Sequence, residues 1–283
     1  MRLDIDHLRG WIGRTETLED VATPAPLRAL AATLDSDDAA TARPGELPPG
    51  SHWLYFLPVV RQSEIGPDGH PRRGGMLPPV PLPRRMWAGS RLRFHQPLRV
   101  GQPLLRISRV SDVSMKAGRT GPLVFVNIDH EIHAEGRLAI AERQDIVYRQ
   151  AQKPGEAATV PAAAPENCSW RRDVLPDPVL LFRYSALTFN GHRIHYDRPY
   201  AIQTEGYPGL VVHGPLIATL LLDLLRRELP QARVSSFGFR AASPLFDNAP
   251  FCVCGRLESD KTVRLWARSA EGHLAMDASA TLD

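Results

Sequence analysis

The run "GPLIATLLLDLLRREL", from Gly214 to Leu229, restricts the possible folds more than any other stretch of this chain. Up to Leu225 its apolar side chains leave almost no polar face, and only then does a charged end follow. A helix of that character cannot face water, so it needs a broad apolar surface around it. The segments that follow it, "VSSFGFRAASPLF", "APFCVCGRLESD", "KTVRLWARSA" and "HLAMDASATL", read as four strands. The simplest partner for the helix is therefore the concave face of a curved antiparallel sheet.

The first part of the chain has the same order of elements. Its first 35 residues read as helical, with "IDHLRGWIGR" and "PLRALAATLD", and a Pro/Gly-rich passage follows from "RPGELPPGSHWLYF" to "GGMLPPVPLPRRMW". Long irregular passages inside a compact domain usually cover or line something. From Arg91 onward the period changes to apolar alternation broken by glycine turns, in "RLRFHQPLRVGQPLLRISRVSDVSMKAG", "PLVFVNIDHEIHAEG" and "LAIAERQDIVYR". The stretch 152–166, "QKPGEAATVPAAAPE", has few large apolar groups and three prolines, the composition of a linker. The expected class is α+β, with related domains over 1–151 and 167–283.

Composition narrows the function classes. The chain has 283 residues, 43% of them hydrophobic, enough for a real core. A net charge of +3 without a basic block argues against nucleic acid as a partner and leaves an acidic small molecule open. No apolar run approaches the roughly 20 residues of a membrane span, and the N-terminus is unlike a secretion signal. Three cysteines, two of them alternating in "FCVCGRL", read as reduced thiols of a cytoplasmic protein.

Chemistry concentrates in "FNGHRIHYDRPYA", Phe189 to Ala201, and in "LVVHG" before the apolar helix. Three readings fit His192, His195 and His213. A metal site needs three convergent ligands, and the H-E-x-x-H spacing is absent. Buried structural histidines tied by hydrogen bonds are the second reading. Acid–base chemistry is the third: a histidine both accepts and donates a proton near neutral pH, and Asn190, Tyr196 and Asp197 stand near to orient it or its water. Gly214 opens the apolar helix with Pro215 beside it, so unsatisfied backbone N–H groups there can hold an oxygen as charge builds on it. Together a base and a polarised carbonyl suit proton movement next to a thioester or ketone.

"ALTFNGHRIHYDRPYA" followed by "EGYPGLVVHGPLIATLLLDLL" resembles the hydratase motif of the MaoC-like, hot-dog fold hydratases and dehydratases. Within them it is most similar to the branch of fungal-type hydroxyacyl-thioester dehydratases and bacterial mesaconyl-C4-CoA and itaconyl-CoA hydratases. The resemblance covers nearly the whole chain. It implies a double hot-dog, each half a curved sheet around a central helix, the first half degenerate and the second carrying the motif. It further implies His195 as the catalytic histidine and the His213–Gly214 backbone as the oxyanion hole. The family at large has a catalytic aspartate where this chain has Asn190, and Asn-Pro where it has His192 and Arg193. An amide has no useful pKa for a base, so either Asn190 orients water for His195 or a carboxylate such as Asp197 or Glu205 takes the role.

The resemblance implies an acyl-CoA thioester substrate and no cofactor, CoA being part of the substrate. Arg193 suggests a free substrate carboxylate, because a buried anion requires a cationic partner. His192 and Tyr196 would line the same pocket, while Arg84, Arg85, Arg91, Lys116 and Arg119 are candidates for the CoA phosphates. The reaction it points to is hydration of itaconyl-CoA or mesaconyl-C4-CoA to citramalyl-CoA, in itaconate degradation. The alternative is a 3-hydroxyacyl-thioester dehydratase or enoyl-CoA hydratase of fatty-acid metabolism; a pair of hot-dogs that binds acyl groups without turnover is a third. One chain would hold a complete pair of hot-dogs, and further self-association into a homo-oligomer stays open.

Overall fold

In a computed structural model the chain is described over residues 3–36, 43–118, 121–151 and 161–283. Most of the expected linker therefore lies outside the described residues, as does Arg119. The strands are β1 (Thr15–Val21), β2 (Arg84–Phe94), β3 (Pro103–Gly118), β4 (Gly121–Ala134), β5 (Arg137–Arg149), β6 (Trp170–Val174), β7 (Val234–Ala241), β8 (Phe251–Ser259), β9 (Thr262–Ser269) and β10 (Leu274–Leu282). They form one ten-stranded sheet in the order β1-β3-β4-β5-β2-β7-β10-β9-β8-β6, and every pairing is antiparallel. Read outward from the centre, the second half repeats the order of the first with each strand five places later. The α+β double hot-dog reading holds.

The halves join where β2 pairs with β7, from Gly89 opposite Arg240 to Arg93 opposite Ser236. A Cβ on Gly89 would lie 2.5 Å from the Phe239 carbonyl oxygen, so this seam needs a glycine at that point. Beneath the second half runs α4 (Gly214–Glu228), with ten of its fifteen residues buried. Leu216, Leu220, Leu221 and Leu224 pack with Val253, Leu265, Ala267, Met276 and Ala278 in one core cluster. The period-2 rule places Cys252 and Cys254 on the other face, in a small cluster with Trp266 and Leu274, and all three cysteines are free thiols.

The halves differ in what fills the concave side. The first has α1 (Ile5–Arg9) and α2 (Pro24–Thr33), while residues 43–83 are irregular apart from short 3-10 turns at Ser51–Leu54 and Gln62–Glu64. Leu47, Leu54, Tyr55 and Phe56 from this passage enter the same core as α4. The sequence reading of a helical N-terminus misses β1, and it also misses β6. These are the two edges of the sheet. Both are short and charged, "TETLEDV" and "WRRDV", as exposed edges tend to be, so neither shows apolar alternation. No described helix is long and apolar enough to cross a membrane.

Candidate active site

α3 (Pro178–Leu187) begins on an Asp177 cap that accepts the Leu180 N–H at 2.8 Å, and it ends just before the histidine strip. Phe189 takes a left-handed φ of 48°, uncommon for a bulky residue. The Asn190 N–H donates back to the Ser185 carbonyl at 2.8 Å, which turns the chain out of the helix. Asn190 Oδ1 then accepts the His192 N–H at 3.0 Å. Its side-chain oxygen thus shapes the turn into the short 3-10 segment Arg193–His195.

His195 is 7% exposed. Its Nδ1 lies 2.7 Å from the Val211 carbonyl oxygen, an acceptor only, so Nδ1 carries the proton and Nε2 presents a lone pair. Burial is the main cause that lowers its pKa to about 4, against the opposing hydrogen bond to Val211. At neutral pH it is an uncharged base. His213 stacks on it, with ring centroids 3.6 Å apart and planes 18° apart. His213 Nε2 meets Ser185 Oγ at 2.8 Å, and burial followed by the charges of His195 and His192 holds its pKa well below the ordinary value. His213 also caps α4, whose first backbone N–H groups, beginning with Gly214, have no partner within the helix. A neutral base and a helix N-terminus are thus one ring-stacking distance apart.

Several expected site residues have other partners. Arg193 was expected to meet a substrate carboxylate. Instead its Nε and Nη2 donate to Asp197 Oδ2 at 2.9 and 2.8 Å, its Nη1 donates to the Pro67 carbonyl, and its guanidinium lies 4.2 Å from the centre of the Tyr200 ring. Asp197, expected as a catalytic carboxylate, also accepts the Tyr200 N–H at 3.1 Å. Backbone and arginine hydrogen bonds hold its carboxyl below the usual range, which makes it a poor base. Glu205 pairs with Arg84 at 3.2 Å. The Tyr196 hydroxyl donates to the Gly191 carbonyl at 2.9 Å, closing the strip on itself. Among the CoA-phosphate candidates, Arg91 pairs with Asp145 and Lys116 lies over the Phe125 ring.

The tertiary structure adds groups that the strip does not contain. The tight loop Gly66–His70 of the first half docks on it: the Arg193 N–H donates to the Asp68 carbonyl at 2.9 Å, and His70 lies against His192 with ring centroids 4.0 Å apart. Asp68 Oδ2 faces His70 Nδ1 at 3.1 Å. Burial, then the charges of His70 and His195, push the His192 pKa strongly down. Asp68, His70 and His192 each place one N or O atom within 4.8 Å of the other two. With the His70 Nδ1 on Asp68 and the two rings overlapping, we read this as a hydrogen-bonded cluster. The stacked His195 and His213 rings likewise turn faces, not nitrogens, to each other, against a shared ion. The one advance signal for the loop was its place in a long Pro/Gly-rich passage, "GPDGHPRRGG".

Docking depends on Gly69. It has φ 88°, and a Cβ there would lie 1.8 Å from the Gly191 carbonyl oxygen. Gly69→Ala is expected to displace the loop and lower turnover by on the order of tenfold to a hundredfold. The circular dichroism spectrum should stay that of the wild type. Steady-state kinetics with wild-type rates in this variant would show that loop position does not matter.

Comparisons with known proteins show the family to which the chain belongs. The family described as hydroxyacyl-thioester dehydratase type 2 matches residues 50–247, which include both the docking loop and the histidine strip. The chain is 50% identical over 272 residues to the mesaconyl-C(4)-CoA hydratase of Chloroflexus aurantiacus, covering 96% of each protein. It is 30% identical over 279 residues to the mitochondrial hydroxyacyl-thioester dehydratase type 2 of Schizosaccharomyces pombe, covering 88% of this chain and 91% of that one. In fold it is similar to a MaoC-like dehydratase from Phytophthora capsici, with TM-score 0.72 and 14% identity over 99% of this chain and 98% of that one. A Mycobacterium tuberculosis protein described as a double hotdog fold aligns with TM-score 0.58 and 15% identity over 96% of each chain. The chain belongs to the hydroxyacyl-thioester dehydratase type 2 family and has its MaoC-like double hot-dog fold.

Proposed function

We propose that this protein is an acyl-CoA hydratase that adds water across the double bond of mesaconyl-C4-CoA, and of the isomeric itaconyl-CoA, to give citramalyl-CoA. The observation that carries the reaction class is the uncharged, buried His195 with its free Nε2 stacked on the residue that begins α4. The acyl group follows from the 50% identity with the Chloroflexus aurantiacus hydratase over almost its full length.

The steps follow from the geometry. The thioester carbonyl oxygen takes the unsatisfied amides at the start of α4, where the helix dipole favours negative charge. That draws electron density from the β-carbon. Water gives one proton to His195 Nε2 as its oxygen bonds to the β-carbon, and the π pair moves toward the α-carbon and the thioester oxygen. On mesaconyl-C4-CoA, whose double bond is conjugated with the thioester, the His195 imidazolium, destabilised by burial, returns the proton to the α-carbon. On itaconyl-CoA the ring first moves an α-proton to the methylene carbon, which gives mesaconyl-C4-CoA for the same hydration. No cofactor enters this scheme. The three unpaired thiols fit a reducing compartment, the cytoplasm.

The free carboxylate of a mesaconyl group needs a cation, and with Arg193 engaged elsewhere Arg85 takes that role. It lies on β2, and its positive charge acts on both His70 and His192. Incubation with mesaconyl-C4-CoA, itaconyl-CoA and crotonyl-CoA, with product mass followed in each case, tests the reading. Arg85→Met is expected to lower kcat/KM on the diacid thioesters by about 10–100-fold, the worth of a charged hydrogen bond. It should leave crotonyl-CoA turnover near wild type. Fast turnover of crotonyl-CoA with the diacids ignored would favour the second reading, the same chemistry on 3-hydroxyacyl thioesters, to which the family description and the Schizosaccharomyces pombe relative point.

A further inference from the structure

The motif position that holds a catalytic aspartate in the wider family is Asn190 here, and no carboxylate of the strip replaces it: Asp197 is bound to Arg193 and the Tyr200 N–H. We propose that the other half of the molecule supplies the missing charge, with His70 as a second acceptor for the attacking water and Asp68 as the residue that positions it. This rests on the hydratase reading given above.

Three observations carry it. The first is connectivity. Asp68 Oδ2 accepts from His70 Nδ1 at 3.1 Å, which leaves His70 Nε2 as an acceptor, the same tautomer that Val211 enforces on His195. The second is spacing. The His70 ring lies 4.0 Å from that of His192, and His192 lies edge-on to His195 at 5.3 Å, so His70 and His195 flank the same ring. The third is the way the loop is held. The Arg193 N–H on the Asp68 carbonyl, Arg193 Nη1 on the Pro67 carbonyl, and the close approach of Gly69 and Gly191 fix this turn to the histidine strip. Three contacts on five residues place the dyad deliberately beside His192, whose ring lies 5.3 Å from that of His195.

The atoms balance without a further reactant. Water transfers one proton to His195 Nε2 and forms its bond to the β-carbon, and that same proton later reaches the α-carbon. The other hydrogen stays on the new hydroxyl and is donated to His70 Nε2 throughout. Asp68 keeps accepting the Nδ1–H, and its negative charge faces the transient His195 imidazolium through His70 and His192. The groups acting on His70 are Asp68, Arg85, Arg73 and, on the opposing loop, His192. Burial first, then the charge of Arg85, lowers the His70 pKa to about 4 against the pull of Asp68, so it is uncharged at neutral pH.

Kinetics of the full-length wild type, Asp68→Asn and His70→Gln on the thioester panel, from pH 3.5 to 8, test this. The asparagine keeps a side-chain oxygen for the His70 N–H and removes only the charge. Asp68→Asn is expected to lower kcat by about tenfold, and His70→Gln by about 10²-fold, with KM changed by less than about threefold. The acid limb of log kcat/KM should be steeper in wild type, where two acceptors must be unprotonated and the slope tends toward two, than in His70→Gln, where it tends toward one. A purely structural role would instead lower the melting temperature and leave that slope alone. Wild-type kcat and slope in both variants would overturn the inference while leaving the hydratase reading standing. A wild type inert toward every thioester would overturn both. Stoichiometric zinc in the wild type by elemental analysis, absent from His70→Gln, would overturn it in favour of a metal site.

Discussion

His195→Ala is expected to lower kcat on the preferred thioester by about 10³-fold or more, the contribution of a general base that also returns the proton. KM should change little, because the proposed scheme places the thioester oxygen on backbone N–H groups at the start of α4 and not on this ring. His195 is buried against the His192 and His213 rings, so a smaller side chain leaves a cavity and a modest loss of stability accompanies the substitution. The pH dependence separates the two effects. The base acts only when unprotonated, so activity is lost as pH falls through its pKa. Burial holds that pKa at about 4, below the free-histidine value. Wild-type kcat/KM should therefore be level from about pH 5.5 upward and decline only below that. An acid limb centred near the ordinary histidine pKa would mean that a solvated group does the proton work. A His195→Ala variant that retained a tenth of wild-type kcat would remove His195 from the mechanism.

The largest expected stability effect lies at the other end of α4. Asp223, with a side chain 4% exposed, accepts from Arg172 at 2.7 Å, Arg226 at 2.5 Å and Arg227 at 2.7 Å, and from the Ser36 hydroxyl at 3.1 Å. Through Arg172 this ties α4 to β6, and Arg172 and Arg227 both continue to the Leu34 carbonyl after α2. One carboxylate thus anchors an edge strand and a helix of the first half to the central helix. Asp223→Ala leaves three guanidinium groups crowded without their common partner, at a cost of about 3–5 kcal/mol. For a chain of this size that corresponds to a melting temperature lower by on the order of 10 °C, measurable by calorimetry. Burial pushes the Asp223 pKa up, but hydrogen bonds from Arg227 and Arg226 outweigh it and the net shift is downward. The folded value lies below the unfolded one, so this stabilisation is complete above the unfolded carboxylate pKa. It is lost as pH falls through the folded value. A melting temperature within 2 °C of wild type would show the cluster to be replaceable by water.

The reading of the residues and the structure part company at identifiable places. The apolar run of α4, the four strands after it and the histidine strip were legible because their signals are local: periodicity, a Gly-Pro helix start, two histidines three residues apart. β1 and β6 were not, because an edge strand is charged and lacks the alternation that marks a buried face. Arg193 was read as a substrate ligand although Asp197 stands four residues on, a spacing at which opposite charges pair along a turn. The i, i+4 partner prevailed.

The order of residues by itself determined the class of fold, the histidine strip and the helix start beside it, since each depends on neighbours along the chain. Only the tertiary structure decided which charges surround that strip. Electrostatic and hydrogen-bond partners are chosen by distance in space, and the loop carrying Asp68 and His70 comes near His192 only after two five-stranded halves have joined along β2 and β7.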